Sequence, residues 1–282
     1  MSTLASAPAL APPLHDPATR SRLTTAVVVL AILWPLLALA DFRPWALFAS
    51  GNLTVMGGFL GAFLPPSTAP DFIALLAKAT LETLAIATAG IALAFVVAAP
   101  LAMIATRALA VSRIGPGPGR GLGVAVRTTA RGALTMLRAI PEVVWALVFV
   151  RALGLGPGAG VLALAVTYGG MLGKVYTEIL ESGDTRAARA LLEAGSPRLA
   201  TLFYGLVPGA AQELASYTVY RWECAVRASV VMGFVGAGGL GQLMDQSMKM
   251  LNGGEASTIL LTFFALVLLA DAMSLVIRKV LA

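Results

Sequence analysis

The sequence predicts an all-α, polytopic membrane helix bundle of about six transmembrane helices with both termini in the cytosol. Three observations carry this reading. First, hydrophobic residues make up 58% of the 282-residue chain and charged residues only 12%, with a mean hydropathy of +0.86; a soluble domain carries about 25% charge. Second, apolar runs recur at the length of about 20 residues that crossing a bilayer requires. Third, the arginines collect in alternate connections. The net charge of +6 is therefore read as membrane topology and not as a nucleic-acid surface, because cytosolic loops are enriched in Lys and Arg. A single cysteine, Cys224, excludes an internal disulfide and any multi-cysteine metal site. The one histidine, His15, lies in an Ala/Pro-rich tail, so no metal site is expected.

Residues 1–22 lack periodicity and read as a disordered cytosolic tail. Residues 23–80 are expected to hold the first transmembrane helix, 23–40, and an outer interfacial segment. Ala38-Leu39-Ala40 resembles a signal-peptidase site, but the long preceding tail and near-spanning length favour an uncleaved helix. Beyond it Trp45, Phe48, Met56, Phe59, Leu60 and Phe63 recur at roughly helical spacing, as in a short interfacial helix or an apolar loop packed on its own helices. The transmembrane domain proper is assigned to 81–280. Its spans are 81–106, closed by Arg107; 134–153, containing Pro141; 161–180; 207–232; and 258–277, closed by Arg278 and Lys279. A Gly/Pro loop covers 115–123, and a looser polar segment is expected between 241 and 255.

Six spans put both termini on one side. A cytosolic tail then shares its side with Arg20, Arg22, Arg107, Arg113, Arg120, Arg127, Arg131, Arg186, Arg189, Arg198, Arg278 and Lys279, against Arg43, Arg151 and Lys249 opposite. This asymmetry fixes the predicted orientation. It also makes cytosolic a polar, helix-forming island at 184–206, interrupted by Gly195-Ser196-Pro197 and restarting toward Pro208. A helix–Gly–helix elbow of this kind offers a docking surface.

Two phosphate-binding patterns are decoys. Gly236-Ala237-Gly238-Gly239-Leu240-Gly241 fits G-x-G-x-x-G but follows a membrane helix, not a strand. Gly173-Lys174 resembles the end of a P-loop, yet Val175 follows and the first glycine is missing. No G-x-S-x-G, H-E-x-x-H or plausible carboxylate pair is present, so the chain is not expected to be an enzyme.

The fifth span carries Arg221, Glu223 and Arg227. Charges inside a membrane are costly and face a bundle interior or an aqueous cavity. Glu223 and Arg227 are spaced i,i+4 and can pair; Arg221 lies on another face and needs a different partner. The surplus of guanidinium suits a pathway for a dianionic tetrahedral oxyanion, with Tyr220 beside it. Structural ion pairs that hold the bundle or a dimer are the other reading. Arg138 and Glu142 are expected to pair i,i+4 across a kink at Pro141, as a gate or as a helix staple. Gly236, Gly238, Gly239 and Gly241 read as an outer gate element or a helix-ending turn.

Gly195 and Pro208, thirteen residues apart before the penultimate span, resemble the signature loop of ABC-importer permeases. Further matches are Glu82-Thr83-Leu84 opening the second span, Arg138-Ala139-Ile140-Pro141-Glu142, and Val235 to Gly241. These are similar to the methionine- and phosphonate-type branch. Tyr204-Gly205-Leu206-Val207-Pro208 and Tyr220-Arg221-Trp222-Glu223 with Arg227 look most like the phosphonate permeases. The resemblance implies a type I importer fold in the bacterial cytoplasmic (inner) membrane. The 184–206 elbow becomes the coupling loop, with Arg189, Ala190, Glu193, Ala194, Gly195 and Pro208 facing an ATPase. The implied partners are ABC ATPase subunits, a periplasmic or lipid-anchored solute-binding protein, a second permease copy or paralogue, and membrane lipid, but no nucleic acid. No cofactor is implied, ATP being bound by the partner subunit. The implied substrate is phosphonate or a related phosphorus oxyanion (phosphite, hypophosphite or phosphate). Methionine carriage by the same machine, or a self-contained channel or secondary carrier, are the alternatives. One position departs from the family: six residues before the loop glycine, where the family has Glu, this chain has Arg189.

Overall fold

The computed structural model describes residues 18–43, 45, 48–108 and 120–281. The expectations for the tail up to residue 17, His15 included, and for Arg113 and the loop residues 109–119 lie outside the described residues. Among the described residues every regular element is helical and none is a strand.

The chain divides into two compact units, Met1–Gly58 and Phe59–Ala282. The first contains α1 (Ala18–Leu39) and most of α2 (Ser50–Gly61). α1 exposes Leu23, Val27, Leu30 and Trp34, as a lipid-facing helix does. Past its end, Asp41 pairs with Arg43 at 2.8 Å. Met56, Phe59 and Leu60 fall on α2, so the segment between the first two expected spans does contain a short helix.

The second unit runs α3 (Pro70–Ala105), α4 (Arg120–Ala139), α5 (Glu142–Leu153), α6 (Pro157–Ser182), α7 (Arg186–Glu193), α8 (Arg198–Thr201), a π-turn (Leu202–Leu206), α9 (Val207–Gly233), α10 (Gly239–Lys249) and α11 (Gly253–Leu281). By length and composition α1, α3, α6 and α11 can each cross a membrane, and α4 with α5 makes a fifth crossing if the bent pair counts as one. α9 has the length, at 27 residues, but carries Glu213, Arg221, Glu223 and Arg227.

Three elements differ from the sequence reading. α3 begins at Pro70, not at residue 81: a proline in the first helical turn gives up no hydrogen bond, and Asp71 beside it opposes the positive end of the helix dipole. Glu82-Thr83-Leu84 therefore lies within α3 and does not open it. The kinked third span is two helices bent by 83°. Pro141 has no N–H to continue α4, so that helix ends at Ala139 and Pro141 becomes the N-cap of α5. The expected Arg138–Glu142 pair does not form, because i,i+4 contact needs an unbroken helix. Finally, the loose polar segment after residue 241 is helix α10.

α6 is the hub. Its glycines let neighbouring backbones approach closely, which is how helices associate where lipid removes the hydrophobic gain of burial. A Cβ added at Gly170 would lie 2.8 Å from the Arg138 nitrogen and the Leu134 carbonyl oxygen of α4. One at Gly173 would lie 2.4 Å from Leu134 Cδ2, and one at Gly90 of α3 would lie 2.6 Å from Leu164 Cβ of α6. Gly173-Lys174 is thus a packing seam, and Lys174 pairs with Glu178 at 2.7 Å.

A second glycine cluster ties the far end of α9 to α3. Gly236, Gly238 and Gly239 have φ of +93°, +87° and +70°, a region that L side chains rarely adopt. The turn they make lets the Leu240 N–H donate to Thr83 Oγ1 at 2.9 Å. The Gly156 N–H donates to the Gly236 carbonyl at 3.0 Å. A Cβ at Gly241 would lie 1.8 Å from the Val230 carbonyl oxygen. Gly241→Ala is expected to cost about 3 kcal/mol or to prevent folding. Gly132→Ala, in α4 with open space around its Cβ, is expected to stabilise by about 0.5–1 kcal/mol. Thermal unfolding of the two purified variants in detergent checks the contrast.

Candidate functional site

Two constellations stand out, one on the elbow between α6 and α9 and one along α9. The elbow is a built structure. α7 stops in a Schellman motif: Gly195 takes φ +82°, its N–H donates to the Leu192 carbonyl at 3.1 Å, and the Ser196 N–H donates to Leu191 at 3.0 Å. Pro197 then caps α8. Ala188 is buried against the π-turn, where a Cβ at Gly205 would lie 2.9 Å from Ala188 Cα. Gly205 thereby seats α7 on the bundle, together with Leu202, Leu206 and Ile179. Arg189, Ala190, Glu193, Ala194 and Gly195 all face outward, as does Pro208 in the first turn of α9. Arg189 makes no ion pair among the described residues, but its charge reaches Asp184. Asp184 is held below the usual carboxylate range, first by the Arg186 side chain, with Nε 2.8 Å from Oδ2, and then by the Arg186 N–H.

Beneath the elbow lies a clamp that sequence reasoning missed. Glu181, in the last turn of α6, accepts hydrogen bonds from the Arg131 guanidinium of α4 and from the Arg107 N–H just past α3. Arg131 Nε also donates to the Ala105 carbonyl at 3.1 Å, one of the carbonyls a helix C-terminus leaves without an internal partner. One ion pair so joins α3, α4 and α6 at the root of the elbow. Arg131 and Glu181 are fifty residues apart, so no local spacing announces them.

On α9, Glu223 is buried and Arg227 Nη2 donates to its Oε1 at 2.6 Å, as the i,i+4 spacing predicts. Arg278 of α11, expected only to close the last span, approaches Glu223 Oε2 at 3.9 Å. Arg221 finds the different partner it needed. Its Nε donates to the Tyr217 hydroxyl at 2.7 Å, and its guanidinium carbon lies 5.1 Å from the Tyr217 ring centroid and 5.7 Å from that of Tyr220. Such cation–π contacts are worth roughly 0.5–2 kcal/mol each. Tyr217 in turn stacks edge-on to Tyr176 of α6, which hydrogen-bonds to Thr218. Trp222 serves packing: its Nε1 donates to Thr88 Oγ1 of α3 at 3.1 Å.

The predicted site residues therefore fall into separate groups. Tyr220, Arg221, Glu223 and Arg227 are together on α9. Gly236, Gly238, Gly239 and Gly241 are at its far end, locked onto α3. Arg138 is parted from Glu142 by the bend. No cluster of three metal-ligating side chains occurs among the described residues. Replacing Glu181 by Gln leaves the Arg131 charge half-buried without its counter-ion, and is expected to cost about 1–3 kcal/mol. A lowered unfolding midpoint of the detergent-solubilised protein, relative to Glu178→Gln in an exposed pair, checks this.

Residues 112–282 match the family model described as binding-protein-dependent transport system inner membrane component. The phosphite transport system permease protein PtxC of Stutzerimonas stutzeri is 38% identical over 199 residues, covering 71% of this chain and 68% of that protein. The phosphate-import permease protein PhnE of Mycolicibacterium smegmatis is 34% identical over 242 residues, covering 86% of this chain and 42% of that protein. Among solved structures, an inward-facing form of the MetNI methionine ABC transporter superposes with a TM-score of 0.64 at 24% identity, over 76% of this chain and all of that one; this likeness speaks to fold alone. The helical bundle, the Gly-elbow before α9 and these matches lead to one assignment: the chain belongs to the binding-protein-dependent inner-membrane transport components, and is a multi-pass permease subunit of an ABC importer.

Proposed function

We propose that this permease carries a small phosphorus oxyanion, phosphonate or its relatives phosphite, hypophosphite and phosphate, into the cell by alternating access. The observation that carries the reading is the surplus of guanidinium on and beside α9. Glu223 is already engaged by Arg227 and approached by Arg278, while Arg221 rests on two tyrosines and opposes no carboxylate among the described residues. A guanidinium held by ring faces and one phenol keeps donors free for tetrahedral anion oxygens. The relatives named for phosphite and phosphate support the same solute class.

In this mechanism both termini and the elbow are cytosolic, and the membrane is the bacterial inner membrane. A dimer of permeases is served by two ATPase subunits and a separate solute-binding protein. ATP is bound and hydrolysed by the partners. Closure of the ATPases pushes the outward face of α7, and the π-turn and the Glu181 clamp pass the displacement to α9, α3 and α4. The bundle then opens toward a loaded binding protein, and the anion crosses along Tyr220, Arg221, Glu223 and Arg227. The bend at Pro141 lets α5 move relative to α4, with Arg138 and Glu142 on either side of it. The turn at Gly236, Gly238, Gly239 and Gly241 closes the outer mouth.

Uptake of labelled phosphite and methylphosphonate by cells expressing permease, ATPase and binding protein tests the pathway. Arg221→Ala and Arg227→Ala are each expected to lower uptake at least about tenfold, the loss of one charge-assisted contact, with permease levels unchanged. Unaltered uptake in both would remove the pathway assignment. At the elbow, Arg189→Glu is expected to lower the ratio of solute imported to ATP hydrolysed several-fold. An unchanged ratio would mean that shape, and not charge, seats the ATPase.

A further inference from the structure

A cavity of about 610 Å³ opens between the last turns of α3, the first turns of α4 and the α8 segment with its π-turn. Its walls are apolar: Pro100, Ile104, Leu122, Leu202 and Phe203 contribute, and no carboxylate lines it. Two arginines do, Arg127 from α4 and Arg198 from the start of α8. Neither guanidinium makes an ion pair or hydrogen bond among the described residues, whereas that of Arg131, one turn further along α4, is fully engaged by Glu181 and Ala105. Two guanidinium groups from different elements thus line an oily pocket with no carboxylate among the described residues to neutralise them.

We propose that this pocket seats an anionic phospholipid, its phosphate between Arg127 and Arg198 and an acyl chain along the Pro100–Ile104 and Leu202–Phe203 walls. Charge complementarity selects the anion, since two unneutralised guanidiniums attract a phosphodiester and repel the ammonium group of a zwitterionic headgroup. The apolar walls and the volume, which is that of a drug-sized ligand site, select a lipid over a free phosphate. Leu199 and Leu122, 71% and 74% exposed at the same rim, continue the apolar surface outward to where lipid tails lie. Because Arg198 and Leu202 belong to the elbow, the bound lipid bridges α3 and α4 to the segment that feeds α9. Occupancy is therefore coupled to elbow position, and transport depends on the anionic-lipid content of the membrane.

The experiment uses the complete transporter, permease with its ATPase, in a neutral detergent, with phosphatidylglycerol or phosphatidylcholine added. Native mass spectrometry counts retained lipid and thermal unfolding reads stabilisation. Wild type is expected to retain phosphatidylglycerol at least about tenfold over phosphatidylcholine. The preference is expected to vanish in Arg127→Ala/Arg198→Ala. Gly123→Leu provides an independent variant: Gly123 lines the cavity and its Cβ would meet nothing within 4 Å, so leucine fills the space without a clash and is expected to evict the lipid while the protein folds normally. Equal retention of the two lipids by wild type, an intact preference in Gly123→Leu, or displacement of the lipid by inorganic phosphate alone would each overturn the proposal. So would a crosslink placing a second copy of this chain over the pocket.

Discussion

Backbone contact across α6 is the constraint on which the rest of this bundle depends. Helices that meet in lipid exchange one apolar neighbour for another, so close packing and polar contacts must hold them. Gly170 and Gly173 admit α4 to van der Waals distance, and Gly90 of α3 admits α6 in the same way. Once α4 is seated there, Arg131 is brought to Glu181, and the pair closes the open carbonyl end of α3. A bulkier residue at either glycine of α6 would displace α4, and with it the clamp at the root of the elbow.

The charged helix α9 is held at both ends by glycine-dependent geometry. At one end the Schellman turn at Gly195 and the close contact of Gly205 with Ala188 set the direction in which the chain enters. At the other, Gly233 and Gly241 meet so tightly that α9 and α10 share a corner latched onto Thr83. Between these anchors, Glu223 is satisfied and the arginines outnumber it. A buried carboxylate without a partner would be costly, whereas Arg227 and Arg278 meet it from two helices. Arg221 is stabilised by aromatic faces, which leave its positive charge undiminished.

The elbow presents three different faces. Its outer face, with Arg189 and Glu193, is exposed. Its inner face, with Ala188 and the π-turn, packs on the bundle. Its edge, with Arg198 and Leu199, borders the lipid-sized cavity under α4. An eight-residue helix such as α7 is too short to be stable alone, so this arrangement persists only because Gly205 lets it rest on the bundle.

Composition and apolar run length sufficed for the membrane class and the helical fold, and Gly195-Ser196-Pro197 for the break in the elbow, because those depend on local chain chemistry. The i,i+4 pairing of Glu223 with Arg227 was legible for the same reason, and so was the need of Arg221 for another partner. Pro141 announced an interruption but not its size: a missing N–H says that a helix stops, while the 83° turn depends on what α5 packs against. The helix after Gly238, the Arg131–Glu181 clamp and the reach of Arg278 to Glu223 were decided by tertiary structure. Each joins groups that are remote along the chain or extends an element whose local pattern is weak, so their energies appear only once α6 has brought the neighbouring backbones together.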